Sequence, residues 1–225
     1  MMTKLVVKRG SLSRLMALYR GEGVWSGLLL VVRFIYCWLY RFRFESAGSF
    51  FIRGHFRIRG ARHISIGSLR AGSRIDIEAV ERYGAQTFTP RISIGRGVCF
   101  SNDVHIGCTN RVVLGNGVLL GSHVYITDHD HGIYAGDEPH SDPGSEPSRR
   151  PLTTTGTVVL EDNVHVGEYV TILKNVRIGA GSIIGAHSNV TQSIPPRTIA
   201  AGNPSRPLKT YCERSKQWVK IEEAQ

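Results

Sequence analysis

The chain has 225 residues, 41% of them apolar, and a formal net charge of +10. That length and apolar share fit one globular domain with a short extension, and they exclude a disordered, collagenous or disulfide-dense chain. The charge is uneven: residues 1–62 hold twelve Lys and Arg against Glu22 and Glu45, whereas residues 63–225 carry sixteen of each sign.

Residues 1–61 read as a basic, apolar helical or interfacial segment and lead-in, with 1–45 helical. The stretch Gly27–Tyr40 (GLLLVVRFIYCWLY) has Arg33 as its one charge. At fourteen residues it is short for a bilayer span, which needs about 20. Arg20, Arg41, Arg43, Trp25, Trp38 and Tyr40 surround it as in an interfacial helix. Two compatible readings follow: peripheral contact with the inner face of the cytoplasmic membrane through residues 1–45, and a lid on the open end of the domain. An anionic surface suits the basic excess, and the apolar run favours membrane over nucleic acid. No cleavable secretion signal is evident. Cys37, Cys99, Cys108 and Cys212 form no CxxC pair, as expected of a reducing cytoplasm.

Residues 46–90 read as transitional. A coil begins at His63–Gly67, and Ile75–Pro90 breaks the rhythm as a degraded coil. From Ile94 an apolar residue recurs every six positions: Ile94, Phe100, Ile106, then Leu114, Leu120, Ile126, then Leu160, Val166, Ile172, Ile178, Ile184 and Val190. Glycine often follows, and the residue four on is small, from Val98 to Ser188. Neither a 3.6-residue nor a two-residue period produces this pattern. A hexapeptide period marks a parallel β-helix, whose stacked coils bury a shared core.

Two interruptions stand out. The step from Ile106 to Leu114 is eight, so two residues bulge near Asn110–Arg111. The step from Ile126 to Leu160 is 34, an excursion of 28 residues over about 128–155. It opens with Asp128-His129-Asp130-His131-Gly132 and ends near Arg149-Arg150-Pro151. Long ordered loops are usually functional. Ile194–Lys209 closes the solenoid, and Thr210–Gln225 reads as a polar tail with a short helix.

The hexads, the segment VYITDHDHG (Val124–Gly132) and the ending VTQSIPPRTIAAGNPSR (Val190–Arg206) resemble the hexapeptide-repeat sugar and polysaccharide O-acetyltransferases. Within them, the chain is most similar to the branch acting on O-antigen, capsule or exopolysaccharide precursors. The resemblance covers about residues 62–209. It implies an all-β, left-handed parallel β-helix, a homotrimer with sites between neighbouring solenoids, and acetyl-coenzyme A as donor with no metal required. It places His131 on the family's catalytic histidine, with His129 as the alternative base. Asp128 and Asp130 are candidates to orient an imidazole. A backbone N–H near Gly167 or Glu168 would meet the oxyanion. Ala186, Thr191, Gln192, Arg206 and Lys209 match coenzyme A positions. His165 stands where the family often has Trp.

O-acetyl transfer needs a base for the acceptor hydroxyl, a donor for the oxyanion, and alignment of the two substrates. Histidine suits the base because its ordinary pKa lies near neutrality. With no cysteine at the loop root, direct transfer is expected. Ser101, Asn102 and Asp103 break the glycine pattern of their turn and are candidate sugar contacts, although turn chemistry also explains them. A γ-carbonic-anhydrase-like zinc enzyme is one alternative, weakened because no two histidines are spaced H-x4-H. A non-catalytic solenoid scaffold is the other.

Overall fold

The computed structural model describes residues 23–137, 139–153 and 155–221. The upstream part of the expected helical segment, residues 1–22, lies outside the described residues. Among the described residues, one α-helix, α1 (Gly23–Tyr40), is followed by short strands that wind around three faces.

The first face stacks the N-terminal half of β3 (Ile64–Ala71) with β7 (Arg91–Ile94), β10 (Arg111–Leu114), β13 (Thr157–Leu160) and β16 (Val176–Ile178). The second stacks the other half of β3 with β8 (Val98–Phe100), β11 (Leu119–Leu120), β14 (His165–Val166), β17 (Ile183–Ile184) and β19 (Thr198–Gly202). The third runs through β2 (Phe56–Arg59), β4 (Ile75–Ala79), β9 (His105–Cys108), β12 (Tyr125–Thr127), β15 (Thr171–Ile172) and β18 (Asn189–Val190). All these pairings are parallel.

The register explains the hexads. Ile66, Ile94, Leu114, Leu160 and Ile178 form one buried column. Phe100, Leu120, Val166, Ile184 and Ala200 form the second. Ile58, Ile77, Ile106, Ile126, Ile172 and Val190 form the third. All twelve hexad residues are at most 4% exposed. The small positions are buried as well. Where the small residue is serine, its hydroxyl serves the last coil: Ser182 donates to the Pro195 carbonyl, and Ser188 accepts from the Gly202 amide at 3.0 Å.

Three details differ from the sequence reading. The stack starts at β1 (Ser46–Ile52), which pairs in parallel with β3, upstream of the expected boundary at residue 62. Its glycine, Gly48, already sits in the corner column: a Cβ there would lie 2.2 Å from the Gly67 carbonyl oxygen. The supposed degraded coil holds a proper coil strand, since Ile75 and Ile77 of β4 are buried. What breaks the rhythm is a small antiparallel hairpin, β5 (Arg82–Tyr83) and β6 (Gln86–Thr87). Finally, the expected C-terminal helix is a hairpin, in which β20 (Ser205–Cys212) pairs antiparallel to β19 and β21 (Gln217–Lys220) antiparallel to β20. Extending an existing sheet edge satisfies those backbone groups, and Tyr211 packs on Trp218 with ring centroids 5.4 Å apart.

The helix α1 lies against β1 and β2. Cys37 is fully buried, the Tyr40 hydroxyl donates to the Ile58 carbonyl at 3.3 Å, and Phe44, Phe50 and Phe56 fill the end of the core. Capping is the role the structure gives this helix; a solenoid end left open would expose its core.

Candidate active site

The excursion leaves the third face after β12, and its root is densely hydrogen-bonded. Asp128 is fully buried and accepts five hydrogen bonds. Its Oδ1 takes the Thr109 amide at 2.8 Å, the Thr109 hydroxyl at 3.2 Å and His129 Nδ1 at 2.9 Å. Its Oδ2 takes the amides of Asn110 at 2.9 Å and Arg111 at 2.7 Å. Three successive amides curled on one anion make a nest. Burial pushes this carboxyl up, but the His129 bond and the amides of Thr109 and Asn110 outweigh it and hold Asp128 below the usual range. The two-residue bulge in the coil below therefore exists to enclose this carboxylate.

His129 is tethered by that carboxylate. Its side chain is 11% exposed, and its ring lies over Gly107, where a Cβ would stand 3.3 Å from Cε1. His131, two residues on, is exposed, and its ring centroid is 6.4 Å from that of His129. Asp130 does not reach either imidazole in the hydrogen bonds of the described residues; it pairs with Lys174 at 2.6 Å.

The hairpin β5–β6 clamps the excursion at both ends. The Tyr83 ring meets the His131 ring edge-on, with centroids 5.2 Å apart and planes at 81°, and its hydroxyl donates to the Ser148 carbonyl. Gln86 bonds both backbone groups of Leu152, Nε2 to the carbonyl at 3.0 Å and Oε1 from the amide at 2.7 Å. Leu152 in turn bridges His131. Inside the loop, Arg150 donates to the carbonyls of Pro143 and Ser145 and to the Tyr134 hydroxyl, which donates to the His131 carbonyl. Tyr83, Gln86 and Arg150 were not singled out from the sequence; the rhythm break at Ile75–Pro90 was the signal for the first two.

A cysteine does lie beside the loop root, contrary to expectation. Cys108 is buried, and burial pushes its thiol far up, with the Asp128 charge adding to the effect. The thiol therefore stays protonated, so the expectation of direct transfer rests on inert chemistry rather than on absence.

The other expected site residues fall on separate parts of one chain. Ser101, Asn102 and Asp103 occupy the corner between the second and third faces, a full strand length from the histidines. Asn102 Oδ1 takes the Ser73 amide at 2.9 Å, and Asp103 pairs with Arg74. Gly167, Glu168 and Ala186 line the same corner, higher in the stack. The Gly167 amide already donates to the Ile184 carbonyl at 2.8 Å, so it is not an oxyanion donor; its neighbour Glu168 is exposed. Residues with positive φ, Arg74, Asp103, His123, Tyr169 and His187, run up this edge, and the last three stack ring on ring at 4.4 and 4.8 Å. Thr191 and Gln192 follow β18, at the corner that also bears the histidines. Arg206 and Lys209 are exposed on β20, in no ion pair among the described residues. His165 points outward from β14. Among the described residues, no group of three or more His, Cys, Asp or Glu is placed to hold a metal.

The family model described as bacterial transferase hexapeptide (six repeats) matches residues 157–192. The chain is 39% identical over 135 residues to a putative lipopolysaccharide biosynthesis O-acetyl transferase, WbbJ, of Escherichia coli K12, covering 57% of this chain and 68% of that protein. It is 29% identical over 132 residues to the galactoside O-acetyltransferase of the same organism, covering 59% and 60%. A solved structure of AntD, an N-acyltransferase from Bacillus cereus in complex with dTDP and coenzyme A, shares the fold with a TM-score of 0.59 at 20% identity, over 79% of this chain and 90% of that one. The chain belongs to the hexapeptide-repeat acetyltransferases, and its solenoid is the left-handed parallel β-helix. By class it is an acyltransferase that uses acetyl-coenzyme A.

Proposed function

We propose that the protein transfers the acetyl group of acetyl-coenzyme A to a sugar hydroxyl of a cell-surface polysaccharide or its lipid-linked precursor, with His131 as general base. The carrying observation is the state of the two imidazoles. His131 offers an exposed ring on a loop root fastened from both sides, whereas His129 is partly buried and commits Nδ1 to Asp128. The identity to a putative lipopolysaccharide O-acetyl transferase supports the choice of acceptor.

In this reading the imidazole takes the acceptor hydroxyl's proton as oxygen attacks the thioester carbonyl. The tetrahedral intermediate collapses, the C–S bond breaks, and the imidazolium returns its proton to the departing thiolate. Arg206 and Lys209 hold phosphates of the donor. The dispersal of the expected donor-binding residues over separate parts of one chain supports a homotrimer: a neighbouring copy that sets its 167–169 and 185–187 corner against His131 completes one cleft, with the Glu168 amide facing the oxyanion. The acceptor places the enzyme beside the inner face of the cytoplasmic membrane.

One specific observation favours His129 instead, since a carboxylate orienting Nδ1 leaves Nε2 as a base. Coenzyme A release with a glycan acceptor separates the two. His131→Ala should lower turnover by about 10²–10⁴-fold with assembly mass unchanged. Near-normal turnover in that variant, with loss in His129→Ala, refutes the assignment.

A further inference from the structure

We infer that α1 docks the protein on the interfacial region of an anionic bilayer, lying flat with one apolar stripe in the headgroup zone. The stripe is a product of helical geometry. Leu28, Val32, Ile35, Leu39 and Phe42 recur at three- and four-residue spacing along one side, and each is at least half exposed: 54%, 56%, 50%, 55% and 68%. Leu29 and Trp38 broaden it. The opposite side, carrying Arg33, Cys37 and Tyr40, is packed on β1 and β2.

Arg33 is the decisive residue. In the sequence it interrupts the apolar run. In the structure its Nε donates to the Ile52 carbonyl at 2.9 Å, and its guanidinium lies over the rings of Tyr36 and Phe56 at 5.4 and 5.1 Å. The helix's one cation is thus turned into the protein, and the outward stripe carries no charge. No helix among the described residues is long and apolar enough to cross a membrane, so the geometry is that of a helix lying on the surface.

Charge selects the occupant. Exposed Arg43 and Arg53 and half-exposed Arg41 rim this end, in no ion pair among the described residues, and they belong to the segment that holds the whole basic excess. A second copy packed face to face would bring two such rims together, whereas an anionic leaflet attracts them. The inference is independent of the acyl-transfer reading, because its readout is membrane partition.

The test is flotation of the full chain with vesicles of phosphatidylcholine alone or with about one third phosphatidylglycerol. The expected result is binding to the anionic vesicles, weakened by salt. Val32→Glu with Leu39→Glu should cut the bound fraction about tenfold or more with the melting temperature unchanged, since both side chains are exposed. Arg41→Gln with Arg43→Gln should weaken binding to the anionic vesicles and reduce its salt dependence. Failure of the wild type to float, or flotation of the Val32→Glu, Leu39→Glu variant like the wild type, overturns the inference. A drop in assembly mass of that variant without lipid also overturns it, by assigning the stripe to a second copy.

Discussion

Asp128 is the residue whose removal should cost most for its size. Asp128→Ala leaves three backbone amides and His129 Nδ1 without their acceptor, while the Thr109 hydroxyl keeps the Thr153 carbonyl at 3.2 Å. A buried donor left unpaired costs about 1–3 kcal/mol. Thr109 is buried and bears the full penalty, whereas Asn110 and Arg111 are open enough for water to compensate in part. The sum is roughly 3–5 kcal/mol, the range for breaking a buried charged partnership. At about 2–4 °C per kcal/mol for a chain of this size, the melting temperature falls by about 10 °C. Asp128→Asn should fall almost as far, because its amide nitrogen opposes at least one donor. The pH dependence gives a second readout. The folded-state pKa of Asp128 is depressed below its ordinary value of 3.8, so its contribution is present above that value and lost as pH falls through the folded value. The wild type should therefore lose this stability in acid below about pH 4, and Asp128→Ala should lack that component. Calorimetry across pH measures both. A melting temperature within about 2 °C of wild type refutes the reasoning, since a nest that can be emptied without cost does not organise the loop root.

Three further outcomes test the same site. Gly156→Ala should abolish activity and lower stability by about 3 kcal/mol, because a Cβ there would lie 1.6 Å from the Asp128 carbonyl oxygen; a fully active Gly156→Ala protein would show that the loop root can shift freely. Tyr83→Phe keeps the ring edge on His131 and should stay near wild-type turnover, while Tyr83→Ala should lose roughly tenfold in kcat with the KM for acetyl-coenzyme A unchanged; equal turnover in both variants removes Tyr83 from the positioning of His131. Iodoacetamide at neutral pH should label Cys212 before Cys108, because hydrogen bonds from the Ser215 side chain and the Ser215 and Arg214 amides lower the Cys212 thiol while burial raises that of Cys108. Mass spectrometry reads the order, and transfer should survive it; loss of activity that tracks Cys108 labelling would revive an acyl-enzyme.

The solenoid was legible because each coil repeats one steric problem. A column such as Ile58, Ile77, Ile106, Ile126, Ile172 and Val190 must be apolar at every level, and six-residue spacing is its direct image in the chain. The first coils were read too late for the same reason: β1 and β3 run through their corner as seven- and eight-residue strands, so the spacing there is not six. The tail was misread because polar strands at a sheet edge carry no core pattern. Its partners, such as Thr198 opposite Thr210, are set by sheet pairing and not by burial.

The site was legible only as separate irregularities, and the structure makes them one device. The eight-residue step at Asn110–Arg111, the DHDH cluster and the glycine at 156 span 46 positions, yet all meet at the Asp128 peptide and carboxylate. The bulge supplies amides, Asp128 supplies the anion, and Gly156 admits the returning chain because it lacks a Cβ. Asn110 Nδ2 ties the bulge to that return by donating to the Gly156 carbonyl at 2.8 Å. Spacing alone cannot show this, because each part is explained by a contact made in another coil. The break at Ile75–Pro90 belongs to the same group: its hairpin reaches up the outside of the stack to hold Leu152 and His131. An insertion that interrupts a solenoid without interrupting its core columns is therefore a pointer to candidate functional residues, since the coil itself has no use for it.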